Sequence, residues 1–152
     1  MLIRTHFLIT LFFVLILISK VENPVIFIVI AMIATFIPDI DSRFSKVGKK
    51  KVFRLLQWFI NHRGFLHSFI FLGLVILIFY LFWPVAMLPF ALGYGSHLIA
   101  DALTIHGITP FYPFKGKLKG RIRTDGRFET MLFVGFLIAD LWLIFNMILN
   151  IS

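Results

Sequence analysis

The stretch from residue 65 to residue 103 decides the fold of this chain: FLHSFIFLGLVILIFYLFWPVAMLPFALGYGSHLIADAL. It contains no Lys or Arg, and its only carboxylate is Asp101 near the end. Its two parts, 65–83 and 84–103, each approach the roughly 20 apolar residues that a helix needs to cross a bilayer. We therefore predict two consecutive membrane helices here.

Three more apolar runs lie outside this stretch, at 7–19, 24–37 and 131–151. The first two are short, so they would need flanking residues, a thinned bilayer or a re-entrant hairpin. The chain is 60% hydrophobic with a mean hydropathy of +0.97, whereas a soluble domain is roughly 45–50% apolar. We predict an all-α integral membrane protein, a bundle of about five transmembrane or re-entrant helices in one domain covering 1–152.

The first run could also be a signal peptide, because Arg4 precedes it. No small-x-small cleavage site follows Lys20, and a second apolar run begins within a few residues, so we predict a retained helix. With five spans and a cytoplasmic N-terminus, 14 of the 15 Lys and Arg residues face the cytoplasm and only Lys20 lies outside. The positive-inside rule thus predicts a plasma (inner) membrane protein with its N-terminus inside and its C-terminus outside.

The net charge of +8 does not indicate nucleic-acid binding, because the basic residues flank apolar runs. Basic residues followed by apolar ones at 49–60 predict a short amphipathic helix on the membrane surface, with a solvated loop as the alternative. The absence of Cys excludes disulfides, thiolate metal sites and Cys nucleophiles. Any metal must therefore be held by His and carboxylate.

Candidate metal ligands gather at the predicted cytoplasmic ends of the helices, where all five histidines and five of the seven carboxylates lie. Two carboxylates in Asp-x-Asp after an apolar helix repel each other unless a cation offsets their charge, although the motif is also common at helix ends. His97 and Asp101 are four residues apart and share a helix face, as ligands of one cation or as a hydrogen-bonded pair. The His and Asp residues placed at this level include His6, Asp39, Asp41, His62, His67, His97 and Asp101.

Two imidazoles, His62 and His67, lie five positions apart around Gly64. They would point about 140° apart on a continuous helix, so either the helix begins between them or they serve different partners. Arg63 between them suits a substrate phosphate or carboxylate, or else anchors the chain on the cytoplasmic side.

These residues together resemble the YdjM-like family of predicted membrane-bound metal-dependent hydrolases, and the match spans most of the chain. The resemblance implies a small multi-span inner-membrane protein with a metal-dependent hydrolase site. It also implies a metal shell with Arg63, Ser68 and Thr104 as supporting groups and Glu129 in a looser match. The residues that match the family's ligand positions are His6, Asp39, Asp41, His62, His67, His97 and Asp101. The matching motifs are His6, Pro38-Asp39-Ile40-Asp41, His62-Arg63-Gly64-x-x-His67-Ser68, Gly93-Tyr94-x-Ser96-His97-Leu98-x-x-Asp101-x-x-Thr104, Gly107 and Thr124-x-Gly126-x-x-Glu129. His106 and Asp140 match no motif; we expect an interfacial side chain and a buried partner for a neighbouring helix, respectively.

Four His and three Asp exceed the ligands of one catalytic zinc, which predicts two or more divalent ions, with Zn²⁺, Mn²⁺ or Fe²⁺ favoured over Mg²⁺ or Ca²⁺. The predicted reaction is hydrolysis of a lipid or lipid-linked phosphate ester by activated water at the cytoplasmic face, with Arg63, Ser68 and Glu129 as catalytic or supporting groups. The predicted partners are therefore membrane lipids and a lipid or phosphoester substrate, and the sequence does not fix the oligomeric state. Two alternatives stay open: a metal or proton transporter, and a non-catalytic protein whose metal staples short helices.

Overall fold

The computed structural model of the chain describes residues 1–41 and 64–151, and it is all-α in these ranges. Side chains are described except at residues 40, 41, 150 and 151. The predicted amphipathic helix at 49–60 lies outside the described residues. Five α-helices follow one another: α1 (Ile3–Leu17), α2 (Pro24–Phe36), α3 (Phe69–Phe82), α4 (Pro84–Ala102) and α5 (Arg127–Ile151).

Helix α4 is the centre of the bundle, packed against α1, α2 and α3, while α5 packs mainly on α1. Most of the second half of α4 is buried, including Tyr94, His97 and Leu98. Helix α1 and α5 run in the same direction, since Thr5 contacts Glu129 and Phe12 contacts Phe136 further along both helices. The start of α1 therefore lies beside the start of α5.

Local sequence explains where the helices begin and end. Pro24 and Pro84 occupy the first turns of α2 and α4, where a missing N–H costs nothing. Pro38 follows α2 and opens a short 3-10 helix, Pro38–Asp41.

Three predicted helix starts differ from the structure. Helix α1 begins at Ile3 rather than 7, so its first turn is the polar segment that carries His6. Helix α3 begins at Phe69 rather than 65, because residues Phe65–His67 form a separate 3-10 turn and the Ser68 hydroxyl caps the helix by accepting from the Phe71 N–H. Helix α5 begins at Arg127, four residues before the predicted span, because its polar first turn is capped through Glu129. Apolarity marks where a helix meets lipid, not where its hydrogen bonds start.

The outer surface of the bundle is apolar. Two helical stretches, Ile3–Lys20 and Arg127–Leu149, are long and apolar enough to cross a membrane, and Pro24–Phe36 and Phe69–Phe82 are shorter apolar helices. Exposed side chains along α3 and α5 include Leu77, Phe82, Leu141 and Phe145. Helix α2 is only about 20 Å long at 1.5 Å per residue, so it does not by itself match a hydrocarbon layer of about 30 Å.

A loop of residues 103–126 joins α4 to α5 and returns across the end of the bundle. It is held by two isolated β-bridges, Thr104 with Ile122 and Ile108 with Leu118. Gly107 adopts a φ of +63° between them, a conformation that favours glycine. The loop closes over the same end of the bundle that carries the candidate ligands.

Candidate metal centre

Four structural elements bring five candidate ligands to one place. His6 lies in the first turns of α1, Asp39 in the 3-10 helix after α2, and His67 in the 3-10 turn before α3. His97 and Asp101 lie one turn apart at the end of α4. All three imidazoles and Asp101 are almost completely buried.

Asp101 is at the centre of the cluster. Its Oδ1 lies 3.3 Å from His6 Nε2, and its Oδ2 lies 3.7 Å from His67 Nε2 and 4.0 Å from His97 Nε2. The Met1 amino group also donates to Oδ1. One carboxylate thus faces three imidazoles that come from three different segments.

The orientation of His97 is fixed by the end of α2. Its Nδ1 lies 2.8 Å from the Thr35 carbonyl oxygen, and a carbonyl only accepts, so Nδ1 carries the proton. That carbonyl is available because Pro38, which lacks an N–H, ends α2 and leaves the last carbonyls without helical donors. The bare Nε2 of His97 consequently faces Asp39 Oδ1 at 3.9 Å.

The geometry of these groups fits a shared cation better than direct hydrogen bonds. Neither ring nitrogen of His6, nor Nε2 of His97, has a hydrogen-bond partner within residues 1–41 and 64–151. Two ligands held about 2.0–2.2 Å from one zinc ion lie about 3.3–3.6 Å apart, close to the spacings around Asp101. A buried nitrogen with no partner carries a cost that a coordinated ion would remove.

Two overlapping groups of three could each hold an ion: His6, His97 and Asp101, and Asp39, His67 and His97. In each group, one ligand atom per residue lies within 4.8 Å of the others. His97 belongs to both groups, and its ring also stacks on that of His6 with centroids 3.9 Å apart. His97 is therefore the residue on which the whole cluster depends.

The electrostatics of Asp39 favour a nearby positive charge. Burial raises the pKa of the Asp39 carboxyl above its ordinary value, and the His6 imidazole opposes that shift. A cation ligated by Asp39 would stabilise the ionised form and offset the cost of burial.

A layer of buried hydroxyls lies beneath the cluster, and sequence reasoning missed it. Thr10 bonds Ser96 at 2.9 Å and accepts from Thr35 at 2.9 Å, which joins α1, α2 and α4. Each hydroxyl stands beside or one turn from a candidate ligand in sequence: Thr10 after His6, Thr35 before Asp39, Ser96 before His97. The four-residue spacing of Thr10 from His6 and of Thr35 from Asp39 is the signal that could have found these two hydroxyls.

Three predicted site residues lie outside what the structure describes, namely His62, Arg63 and the side chain of Asp41. His67 lies in the 3-10 turn Phe65–His67, and helix α3 begins after it. Tyr94 on α4 donates to the Leu66 carbonyl and so anchors the turn that carries His67.

The predicted supporting groups have structural contacts of their own. The Ser68 hydroxyl donates to the Phe65 carbonyl and caps α3, and the Thr104 hydroxyl donates to the Asp101 carbonyl at the end of α4. Both residues thus hold the backbone next to a ligand. His106 is exposed, as an interfacial side chain would be.

Asp140 is 2% exposed within α5, and neither of its carboxylate oxygens has a hydrogen-bond partner among the residues that the structure describes. The expectation of a buried residue is met. A bonding partner on a neighbouring helix is not found in this part of the chain.

Glu129 connects the first residues of α1 to the start of α5. Its Oε1 accepts from the Leu2 N–H and from the Thr5 hydroxyl at 3.1 Å, and its Oε2 accepts from the Asp125 N–H at 2.6 Å. The residue is 1% exposed. Through these bonds Glu129 acts as a clamp that fixes the first residues of α1, and so the segment that leads to His6, against the start of α5.

Replacing Glu129 with Gln is expected to lower the free energy of unfolding by about 1–3 kcal/mol. The Gln side chain has an NH₂ group in place of one carboxylate oxygen, so one of the groups that now donate to Glu129 would face another donor. The melting temperature of the purified protein measures this, and the affinity for Zn²⁺ should fall with it because His6 loses its anchor. Glu22→Gln is the matched control, since Glu22 is exposed between α1 and α2. Equal effects of the two changes would contradict the clamp.

A helical bundle with an apolar outer surface and a buried cluster of His and Asp at one end defines an integral membrane protein with a candidate metal centre. Over residues 1–151 the chain matches the family described as YdjM inner membrane protein. It therefore belongs to that family, and it is an inner-membrane protein. This confirms the family and the membrane location expected from its motifs and apolar helices.

Individual relatives are more distant. The chain is 28% identical over 124 residues to the uncharacterized protein YvsG of Bacillus subtilis (strain 168), which covers 78% of each chain. It is 27% identical over 130 residues to the inner membrane protein YdjM of Escherichia coli (strain K12), covering 74% of this chain and 64% of that protein. No solved structure matches the chain.

Proposed function

We propose that this protein is a metal-dependent hydrolase that cleaves a lipid or lipid-linked phosphate ester at the cytoplasmic face of the membrane. The observation that carries the proposal is the convergence of three imidazoles and two carboxylates from four segments on one buried point. In an apolar helical bundle such a cluster is costly to assemble unless it binds a charged partner.

The proposed ligands are His6, Asp39, His67, His97 and Asp101. They provide three nitrogens and two carboxylates, a mixed set that suits Zn²⁺ or Mn²⁺ better than Mg²⁺. Five donors exceed the ligand number of one catalytic zinc, which supports two ions in the proposed site. Asp41 and His62, predicted from their motifs, would complete this shell.

The bound ions would polarise the phosphoryl group and make water nucleophilic near neutral pH. Asp39, or an imidazole that is not a ligand, would accept the proton of the attacking water. Attack at phosphorus would form the new P–O bond to the water oxygen and break the ester P–O bond. The group that accepted the water proton would return it to the leaving oxygen, which departs as an alcohol. Arg63 would bind the substrate phosphate through its planar guanidinium. Ser68 and Glu129, expected to assist, would act through the backbone that they position.

The proposal is tested on protein purified in mild detergent. Metal content is measured by mass spectrometry, and phosphate release is followed on a panel of phospholipid and phosphoester substrates. We expect bound Zn or Mn and a turnover that EDTA abolishes. Asp39→Ala should lose both metal and turnover, whereas Arg63→Lys should keep the metal and raise KM.

Unchanged metal content in the Asp39→Ala protein would reject the metal centre. Stoichiometric metal without turnover on any substrate would reject the hydrolase and favour an ion that staples the short helices.

Ion transport is a second candidate because Asp140 places a buried carboxyl further along a membrane helix. A transport path needs polar groups through the whole bilayer. Among the described residues, the hydroxyl layer of Thr10, Thr35 and Ser96 continues the cluster by only about one turn. Metal flux into proteoliposomes, lost in Asp140→Asn, would favour transport over hydrolysis.

A further inference from the structure

A basic groove lies at the start of α5, on the same end of the bundle as the metal centre. It is open to the surface, has a volume of about 640 Å³ and is lined by residues of the segment 121–128. Its charged side chains are three guanidinium groups and a single carboxylate: Arg121, Arg123, Arg127 and Asp125.

Two of the arginines point in the same direction because the backbone between them is extended and anchored. The Ile122 N–H donates to the Leu103 carbonyl at 3.0 Å, and the Ile122 carbonyl accepts from Ile105 at 3.0 Å. Ile122 packs inward against the buried cluster that contains Ala100. Neighbouring side chains of an extended segment alternate in direction, so Arg121 and Arg123 both face outward, and both are exposed.

A tight turn brings the third arginine back beside these two. The Gly126 N–H donates to the Arg123 carbonyl at 3.0 Å, and Asp125 adopts a φ of 62°. The Asp125 N–H donates to the buried Glu129 carboxylate, which fixes the turn to α5. Arg127 then begins α5, at the positive end of that helix's dipole.

The three guanidinium groups are not neutralised within residues 1–41 and 64–151. No carboxylate of these ranges forms an ion pair with Arg121, Arg123 or Arg127. The one carboxylate of the lining, Asp125, lies 3.9 Å from Arg4 instead. The groove therefore presents planar guanidinium groups, each of which can donate two hydrogen bonds to the oxygens of a phosphate group.

Exposed aromatic side chains border the groove, as they do on surfaces that lie at the depth of lipid headgroups. Phe128, which lines it, is 73% exposed, and Phe114 of the same loop is 71% exposed. Aromatic and basic side chains together are typical of the membrane interface. The groove is also close to the candidate centre in the chain, since its anchor Leu103 stands two residues after Asp101.

We propose that this groove binds the phosphate group of an anionic phospholipid, through Arg121, Arg123 and Arg127. The further claim, that this lipid is the substrate delivered to the His and Asp cluster, rests on the proposed function. Binding itself requires only the groove.

Calorimetric titration of the full chain in phosphatidylcholine nanodiscs tests the proposal, with dihexanoyl phosphatidic acid as the probe. EDTA is present, so no hydrolysis consumes the probe, and a failure of the hydrolase assay leaves this measurement intact. The triple change Arg121→Ala, Arg123→Ala and Arg127→Ala should weaken binding at least about tenfold, since the loss of a single charge-assisted hydrogen bond accounts for that much.

The matched control is Lys115→Ala, Lys117→Ala and Lys119→Ala, which removes the same charge from exposed positions of the same loop. It should weaken binding less than about threefold, as a general loss of positive potential would. A second variant replaces the three arginines with lysines. It keeps the charge and the fold, and it should still bind several-fold more weakly because the forked donors are gone.

Equal losses in the arginine-to-alanine and lysine-to-alanine proteins would overturn the groove as a site and leave only a general basic surface. Inorganic phosphate binding as tightly as dihexanoyl phosphatidic acid would overturn the assignment to a lipid. If the arginine-to-lysine protein bound dihexanoyl phosphatidic acid as tightly as the unmodified protein does, recognition by paired guanidinium hydrogen bonds would be overturned.

Discussion

Replacing His97 with Ala is expected to abolish binding of Zn²⁺ or Mn²⁺, with a fall in affinity of about 100-fold or more. His97 contributes to both groups of candidate ligands, whereas the other four residues each belong to one. Its Nε2 carries no proton because Nδ1 donates to the Thr35 carbonyl at 2.8 Å, so Nε2 has the lone pair that a metal ligand needs. Loss of groups that merely orient a ligand costs 10–100-fold in affinity, and loss of a shared ligand should cost more. Metal content of the purified protein and competitive titration with a zinc-chelating dye measure the change.

His106→Ala is the control for this experiment. It removes an imidazole from the same end of the molecule, but His106 is exposed and belongs to neither group. Its metal content should equal that of the unmodified protein. A melting temperature recorded for both variants separates loss of the site from loss of the fold. Retention of stoichiometric metal by a folded His97→Ala protein would show that the cluster is not a metal centre.

The sequence was sufficient to predict the five apolar helices found in residues 1–41 and 64–151, and the end of the bundle at which the candidate ligands gather. Apolar runs bounded by charged residues are a property of local composition, and the bilayer makes composition decisive. The pair His97 and Asp101 was also accessible, because a spacing of four residues places two side chains on one helix face. Both inferences need only the helix period.

Contacts between distant segments could not be predicted in the same way. The Thr35 carbonyl of α2 determines which ring nitrogen of His97 carries the proton, and this carbonyl is available because Pro38 ends α2. The packing of α2 against α4 brings Thr35 and His97 together, and the sequence does not show this packing. Glu129 was identified by its motif, but its carboxylate bonds backbone and hydroxyl groups at the starts of two parallel helices. The motif gives the residue type and its position, and the tertiary structure gives its role.

A close approach between α2 and α4 supports the candidate metal centre. Helix α2 carries Thr35 and leads to Asp39, while α4 carries His97 and Asp101, so the spacing of these two helices sets the ligand distances. They meet at Gly93, where an added Cβ would lie 2.0 Å from the Ala31 carbonyl oxygen and 2.8 Å from its carbon. Backbone atoms cannot rotate aside as a flexible side chain does. Any side chain at this position must therefore push α2 and α4 apart.

Gly93→Ala is accordingly expected to destabilise the protein by about 1–3 kcal/mol or more, and to weaken metal binding because Thr35 and Asp39 move away from His97. The melting temperature in detergent should fall by several degrees, and metal content should fall with it. Gly135→Ala is the matched control, since a Cβ there meets nothing within 4 Å and alanine favours the helix. Equal melting temperatures and equal metal contents for the Gly93→Ala and Gly135→Ala proteins would show that α2 and α4 do not meet at Gly93. Another contact would then have to set the distances around His97.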